Sequence, residues 1–182
     1  MKSQFDQLVK KVIEKSESNN WNVAKTEWTV LSLVEDVDMT SNCICGQENL
    51  RYLYTIKNKL NDNTLFPIGS HCINQFNQSE LDEEVSVYRK LFDLLLAVQN
   101  KEFITLDSKY FSRKLLMYLY ENNAFQPNDF NQHNPENDYA FLVQMFNKRK
   151  QPSDKQQMKI RAIIIKSIIP FAKNLINANE TQ

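Results

Sequence analysis

The sequence is poor in the residues on which several common kinds of functional site depend. Only two of its 182 residues are glycine and three are cysteine, and 22 basic side chains balance 22 acidic ones. So few glycines leave little from which to build phosphate-holding loops. The sequence has no P-loop, dinucleotide-binding motif, H-E-x-x-H or nucleophile elbow. A net charge of zero argues against a histone-like polycation and against an acidic mimic of DNA. We therefore expect a protein that is not an enzyme.

Long apolar runs are also missing. No run approaches the roughly 20 residues that a membrane-spanning helix needs, and residues 1–4 do not open a signal peptide. Hydrophobic residues make up 42% of the chain and charged residues 24%, a balance typical of globular proteins that fold in water. These features predict an intracellular protein without a membrane partner.

The spacing of apolar residues predicts an α+β chain in two parts. The first part has a helix, three strands and a short helix, at residues 2–17, 27–37, 50–57, 64–68 and 70–76. The second part has helices only, at residues 81–99, 107–122, 136–148 and 153–177. Pro170 is expected to bend or interrupt the last helix, because proline cannot donate the helical hydrogen bond. The predicted domains are an N-terminal helix with a β-hairpin zinc-binding module over 1–78 and a helical domain over 79–182.

The three cysteines and both glycines fall within one short window. Cys43 and Cys45 form one pair, and His71 and Cys72 form a second pair 25 residues further on. The residues between the pairs predict a β-hairpin, and the second pair opens a helix. This is the order of zinc-knuckle and treble-clef modules, in which a turn and a helix start converge on one Zn²⁺. Gly46 fits such a turn because it adopts positive φ without strain. We predict a structural zinc site with these four residues as ligands.

The fourth ligand is the open part of this prediction. His71 and Cys72 are adjacent, and both side chains must turn towards one metal, so Glu48 or a water molecule are alternatives to the histidine. Four protein ligands close a zinc site, whereas three ligands and a water leave the position that catalytic zinc uses. No general base stands at a recognisable spacing, which favours a structural role. The remaining interpretation is a group of three buried thiols, since an odd cysteine count in an intracellular protein disfavours a disulfide.

The C-terminal part of the chain is basic although the whole chain is neutral. Residues 141–182 contain eight Lys or Arg and two acidic side chains. This excess fits a patch for phosphates or for an acidic protein face, and it also fits an ordinary solvated helix face. The candidate binding residues are Lys148, Arg149, Lys150, Lys155, Lys159 and Arg161. On the hairpin, Tyr52, Tyr54 and Phe66 are either platforms for unpaired bases or part of the core.

Two segments resemble a known group of proteins. The first reads Cys43-Ile-Cys45-Gly46, then Tyr52-x-Tyr54-x-Ile56, then Phe66-Pro-Ile-Gly-Ser-x-Cys72, and the second reads Phe141-Leu-x-x-Met-Phe-Asn-Lys148. Together they resemble small zinc-motif proteins carried by phages and mobile elements of low-GC Gram-positive bacteria. The resemblance implies an accessory protein that acts in the cytoplasm of a bacterial host cell. The size and the lack of catalytic motifs also fit a type II anti-CRISPR protein, which binds Cas9.

Three functions follow as hypotheses. The first is a non-enzymatic inhibitor that binds a host nuclease such as Cas9, alone or together with nucleic acid. The second is an accessory protein of phage replication or recombination that binds DNA or RNA through the zinc hairpin and the basic segment. The third, a metal hydrolase with a three-ligand site, is the least supported because no general base accompanies the cysteines.

Overall fold

The computed structural model describes residues 3–177 and confirms the α+β class. The chain forms two compact units that divide between Tyr88 and Arg89. This division lies inside a helix, ten residues beyond the boundary predicted at residue 78. The outermost residues of the two predicted domains, 1–2 and 178–182, lie outside the described part of the chain. No helix within residues 3–177 has both the length and the apolar character needed to cross a bilayer.

The first unit consists of short helices and one antiparallel sheet. Its elements are α1 (Gln4–Lys15), α2 (Trp21–Ala24), β1 (Trp28–Glu35), β2 (Tyr52–Asn58), β3 (Thr64–Ile68), α3 (Ser70–Asn74) and the first half of α4 (Ser79–Gln99). A capping box at Ser3 and Asp6 starts α1, whose Leu8 and Val12 are buried. Residues 16–22, predicted to be a loop, include the start of α2, for which the Asn20 side chain accepts a hydrogen bond from the N–H of Asn22.

The sheet has the order β1-β2-β3, so β2 lies in its centre. Trp28 pairs with Asn58 at one end of β1 and Leu33 pairs with Tyr54 further along, with an irregularity between Val30 and Ser32. The first half of α4 covers the outer side of β1. There the carboxylate of Glu84 accepts hydrogen bonds from Val30 N–H (2.6 Å) and from the Thr29 hydroxyl (2.8 Å).

A buried carboxylate joins the start of the sheet to the loop after α1. Glu27, 4% exposed, accepts hydrogen bonds from the N–H groups of Glu17 (2.8 Å) and Ser18 (2.9 Å) and from Asn58 Nδ2 (2.6 Å). Burial raises the pKa of Glu27, but the hydrogen bonds from Asn58, Glu17 and Ser18 outweigh burial and leave the pKa lowered. The ionised carboxylate therefore stabilises the folded unit.

In the described part of the second unit, every element of secondary structure is a helix. Besides the end of α4 it contains α5 (Arg113–Glu121), a 3₁₀ turn (Asp129–Asn131), α6 (Pro135–Phe146), α7 (Asp154–Ile163), a π-helical segment (Ile164–Ile168) and α8 (Ile169–Asn177). The last three follow one another without a break. Fully buried side chains from several of these helices form the core of the unit, among them Leu115, Leu116, Leu119, Leu142, Ile168 and Ala172.

One helix prediction needs correction. The helix predicted over 107–122 begins only at Arg113, because the Ser112 hydroxyl accepts from Leu115 N–H (3.1 Å) and caps it there. The interruption predicted for the last helix near Pro170 takes the form of the π segment, and the chain stays helical through the proline. The π segment comes directly before this proline, with Ile169 N–H donating to the carbonyl of Ile164. A wider turn relieves the crowding between a proline ring and the carbonyl four residues earlier.

Candidate metal centre and basic groove

Cys43 and Cys45 lie in a tight turn between β1 and β2. Gly46 N–H donates to the Cys43 carbonyl (2.8 Å), and Cys43 N–H donates to the Gln47 carbonyl (2.7 Å). Gly46 has a φ of +90°, which confirms the predicted need for glycine, because an L side chain is strained there. The turn is attached to the sheet by Ile44 N–H, which donates to the carbonyl of Pro67 on β3 (3.0 Å).

Cys72 reaches the same place from α3. Gly69 stands at the N-cap of this helix, and its N–H donates to the sulfur of Cys43. A Cβ added to Gly69 would lie 3.1 Å from Leu50 Cδ2, so the glycine allows close packing against that side chain. The turn, β3 and the start of α3 thus converge on one point, as the knuckle–hairpin–helix order predicts.

The three cysteine sulfurs form one buried cluster. The Sγ atoms of Cys43 and Cys72 are 3.4 Å apart, those of Cys72 and Cys45 are 2.9 Å apart, and all three lie within 4.8 Å of one another. The residues are 4%, 1% and 4% exposed for Cys43, Cys45 and Cys72. These separations are longer than the roughly 2.05 Å of a disulfide, and all three cysteines are free.

The surroundings of the cluster favour one thiolate. Hydrogen bonding from Cys72, with further bonds from the N–H groups of Cys45 and Gly69, lowers the pKa of Cys43 to about 5. Burial raises the pKa of Cys45. The hydrogen bond to Cys43, together with burial, raises the pKa of Cys72. One sulfur is therefore negative while its neighbours hold protons that a divalent cation would displace.

This donor set fits a thiophilic metal ion. A tetrahedral zinc centre with Zn–S bonds of about 2.3 Å places its sulfurs about 3.8 Å apart. The cluster would have to open by less than about 1 Å to reach that spacing. Backbone N–H groups already point at two of the sulfurs, since Gln47 N–H also donates to Cys45. Three buried cysteines can therefore hold a metal ion here.

The structure does not bring His71 to this cluster. His71 is exposed, and its Nε2 lies 3.3 Å from Nε2 of Gln75 on the same helix side. Adjacent residues of a helix point about 100° apart, so the helix that turns Cys72 inward turns His71 outward. The alternative ligand Glu48 is also exposed. Of the four predicted ligands, three are together and the histidine is apart from them.

Four of the six predicted basic residues line a groove in the second unit. Lys148, Arg149, Lys150 and Arg161 border this basic groove, which has a volume of about 570 Å³. Lys159 lines a different groove, and Lys155 is exposed but lines neither of the two. All four cations that border the groove are therefore among the predicted residues; three come from the loop after α6 and one comes from α7.

The basic groove contains an aromatic residue that the sequence analysis did not identify. Phe103 is 65% exposed, and the guanidinium carbon of Arg161 lies 4.2 Å from the centre of its ring. Phe103 belongs to the non-helical segment between α4 and α5, so only the folded chain places it beside α7. The groove thus combines four cations with an accessible aromatic ring.

The three aromatic residues of the hairpin have different environments. Tyr54 is 2% exposed and belongs to the core, which rules it out as a stacking platform. Tyr52 is half-buried, and the Arg51 guanidinium lies 5.6 Å from its ring centre. Phe66 is 51% exposed. Only Phe66 presents a largely free face.

Comparison of the chain with protein-family models, curated proteins and solved structures gave no match. The resemblance to phage zinc-motif proteins therefore depends on the quoted residues alone.

Proposed function

We propose that this chain is a non-enzymatic binding protein whose cysteine cluster holds a structural Zn²⁺. Cys43, Cys45 and Cys72 would be the protein ligands, and a water molecule or another donor would complete the tetrahedron. Their low exposure supports a structural role, because a substrate could not readily approach sulfurs that are so deeply covered. The ion would connect the turn after β1 to α3 and so stabilise the first unit.

We propose that the binding activity is directed at nucleic acid, through the basic groove. The observation that carries this proposal is the combination of Lys148, Arg149, Lys150 and Arg161 with the exposed ring of Phe103 in one groove. Lysine and arginine bind phosphates, and aromatic rings stack on unpaired bases, so this combination fits single-stranded nucleic acid. Such a protein would act in the cytoplasm of a bacterial host, as an accessory of phage replication or recombination.

The charge of the groove supports this choice of ligand. Asp107 is the one carboxylate among the residues that border the groove. It already accepts hydrogen bonds from Lys109 N–H (2.8 Å) and from the Thr105 hydroxyl. The cations therefore outnumber the acids, and the local potential is positive in a chain whose total charge is zero.

The test is binding of fluorescein-labelled 20-residue oligonucleotides, as single-stranded DNA, duplex DNA and single-stranded RNA, across a range of salt. The variant Lys148→Gln/Arg149→Gln/Lys150→Gln should bind more weakly at every sequence. Three phosphate contacts contribute about 2 to the slope of log K against log salt, so the slope should fall by that amount. Phe103→Ala should weaken single-stranded binding by about 1–3 kcal/mol and affect duplex binding less.

A matched control removes the same charge elsewhere. Lys10, Lys11 and Lys15 are exposed on α1, and replacing all three with Gln leaves the groove intact. This control should retain the wild-type slope. Equal weakening by both triple variants, or no binding of any oligonucleotide at low salt, would contradict the proposal.

A second proposal, inhibition of a host nuclease such as Cas9, is favoured by the resemblance of the 43–76 segment to mobile-element proteins. Its test is guided DNA cleavage by Cas9 with the protein in stoichiometric excess, and unchanged cleavage would refute it. Capture of the Cas9–guide complex by the tagged protein separates the two proposals. Capture that survives nuclease treatment indicates a protein contact, whereas capture of nuclease-sensitive nucleic acid alone indicates the first proposal.

A further inference from the structure

A second groove lies along the last helical segment and differs in character from the basic groove. It has a volume of about 700 Å³, and its lining is largely apolar. One side is formed by residues four apart, namely Met158, Ala162, Lys166, Pro170 and Asn174. The other side includes Phe130 of the 3₁₀ turn. We refer to this feature as the apolar groove.

The apolar groove extends along residues 158–174 of the last helical segment. Residues 158–174 span sixteen helical steps, which corresponds to about 24 Å at 1.5 Å per residue. In a regular α-helix, residues four apart drift by about 40°, so this stripe would turn through about 160° over that length. The π segment accommodates one extra residue, which reduces the rotation of the stripe by about 100°. The stripe therefore stays on one side of the helix for its whole length.

The rims of the groove expose apolar side chains to an unusual degree. Phe130 is 83% exposed and Met158 is 71% exposed. The Lys166 ammonium lies 5.6 Å from the centre of the Phe130 ring, which keeps a positive charge beside the exposed ring. Covering a large aromatic side chain that is in contact with water lowers the free energy, so these exposed side chains favour the binding of a partner.

The charges that face the groove are mainly positive. Lys159 and Lys166 are seven residues apart, about two turns of helix, or roughly 10 Å. Asp138 is the one carboxylate of the lining; it is 3% exposed and accepts a hydrogen bond from Asn131 Nδ2 (2.8 Å). Lys159 Nζ lies 3.8 Å from Asp138 Oδ1 and 4.6 Å from the centre of the Phe141 ring, so its charge is already compensated within the chain, and Lys166 carries the positive charge that faces the groove.

We propose that the apolar groove binds an amphipathic helix of a partner protein with an acidic residue opposite Lys166. The length of the groove matches a helix of about 16 residues, and an apolar face would cover Phe130 and Met158. A single uncompensated cation beside a largely apolar lining suits one carboxylate better than a phosphate backbone, which needs several cations such as the four of the basic groove. This inference goes beyond nucleic-acid binding and uses a different surface.

The experiment is selection of displayed 16-residue peptides on the immobilised full-length protein. The library keeps leucine at helical a and d positions and allows Asp, Glu, Lys, Arg or Ser in equal amounts elsewhere. We expect the selected peptides to be rich in Asp and Glu and poor in Lys and Arg. Selected peptides that are basic or of random charge, or no selection at all, would overturn the proposal.

The best peptide is then synthesised and titrated against variants. Phe130→Ser/Met158→Ser should weaken its binding at least tenfold, and Lys166→Glu about fivefold. The matched control is Ile165→Ser, because Ile165 is 62% exposed on the same π segment but does not line the groove. It should stay within twofold of wild type. These side chains are exposed, so the fold is retained, which circular dichroism checks.

The two proposals can fail separately. Lys148→Gln/Arg149→Gln/Lys150→Gln should bind the peptide as wild type does, and Phe130→Ser/Met158→Ser should bind oligonucleotides as wild type does. Peptide binding that persists in Phe130→Ser/Met158→Ser would refute the apolar-groove proposal alone. Displacement of the peptide by a single-stranded oligonucleotide in Lys148→Gln/Arg149→Gln/Lys150→Gln would also refute it, since nucleic acid would then occupy this groove.

Discussion

The two glycines beside the cysteine cluster allow backbone strain and close packing to be tested separately. Gly46→Ala places an L side chain at a φ of +90°, where its Cβ would meet nothing closer than Gln7 Oε1 at 3.5 Å. Gly69→Ala keeps an ordinary φ of −82° but places a Cβ 3.1 Å from Leu50 Cδ2. The first substitution therefore tests backbone strain without a clash, and the second tests a contact without strain.

The expected magnitudes differ in a measurable way. An L residue in left-handed backbone costs about 1–2 kcal/mol, while replacing glycine restricts the unfolded chain and returns about 0.4–1 kcal/mol. Gly46→Ala should thus destabilise the first unit by about 1 kcal/mol. For Gly69→Ala the same gain offsets the small movement of a Leu50 methyl group, so stability should stay within about 0.5 kcal/mol of wild type.

The assay is urea unfolding in zinc-buffered solution, followed by tryptophan fluorescence. Both tryptophans, Trp21 and Trp28, belong to the first unit, so their signal reports on the unit that holds the cysteines. Gly46→Asn should fall between wild type and Gly46→Ala, because asparagine tolerates positive φ better than alanine does. If Gly69→Ala proves the more damaging change, close packing at Leu50 limits the site, and the argument from positive φ is refuted.

Two further predictions concern the metal and acid stability. Purified protein should contain about one zinc per chain by elemental analysis; Cys45→Ser and Cys72→Ser should lower this content, and His71→Ala should not. Loss of zinc in His71→Ala would show that the histidine is a ligand after all. Because the pKa of Glu27 is lowered in the fold, its contribution to stability is complete above its ordinary pKa near 4.5 and is lost as pH falls through the folded value. Glu27→Gln should cost about 2 kcal/mol at pH 7 and flatten the loss of stability that sets in as pH falls below about 4.5, as urea titrations at each pH would reveal. An unchanged pH profile would contradict the role of this carboxylate.

The cysteine turn was predictable because covalent and local constraints determine it. The tight turn after the first cysteine pair needs a residue with positive φ, which glycine provides. Cys72 at the start of the next helix is then expected to lie near that turn, as in zinc-knuckle modules. The role of His71 was not predictable from spacing, since only the inward direction of Cys72 decides that its neighbour faces outward. Local constraints therefore predicted that the three cysteines lie together, but not that His71 lies apart from them.

The errors in the helical half have a common physical cause. Tyr110 and Phe111 have helical apolar spacing and are 3% and 1% exposed, yet both precede α5. Burial alone produces such a pattern, and the cap at Ser112 decides where the helix begins. Contacts between segments that are distant in sequence place Phe103 and Phe130 in their grooves. The local spacing of apolar residues does not predict such contacts. The π segment could not be predicted either, because the spacing of apolar residues does not distinguish a π turn, which has one extra residue, from an α-helical turn.

The carboxylate of Glu84 has a consequence for how the first unit can be expressed. β1 is an edge strand, and open edge strands pair with other chains and cause aggregation. Glu84 occupies the Val30 N–H on that edge, and the Tyr88 hydroxyl donates to the Leu31 carbonyl (3.2 Å). A fragment that stops at residue 78 would lose both groups and expose a ready template for intermolecular β-pairing. A fragment that continues past Tyr88 keeps both groups, which block this pairing.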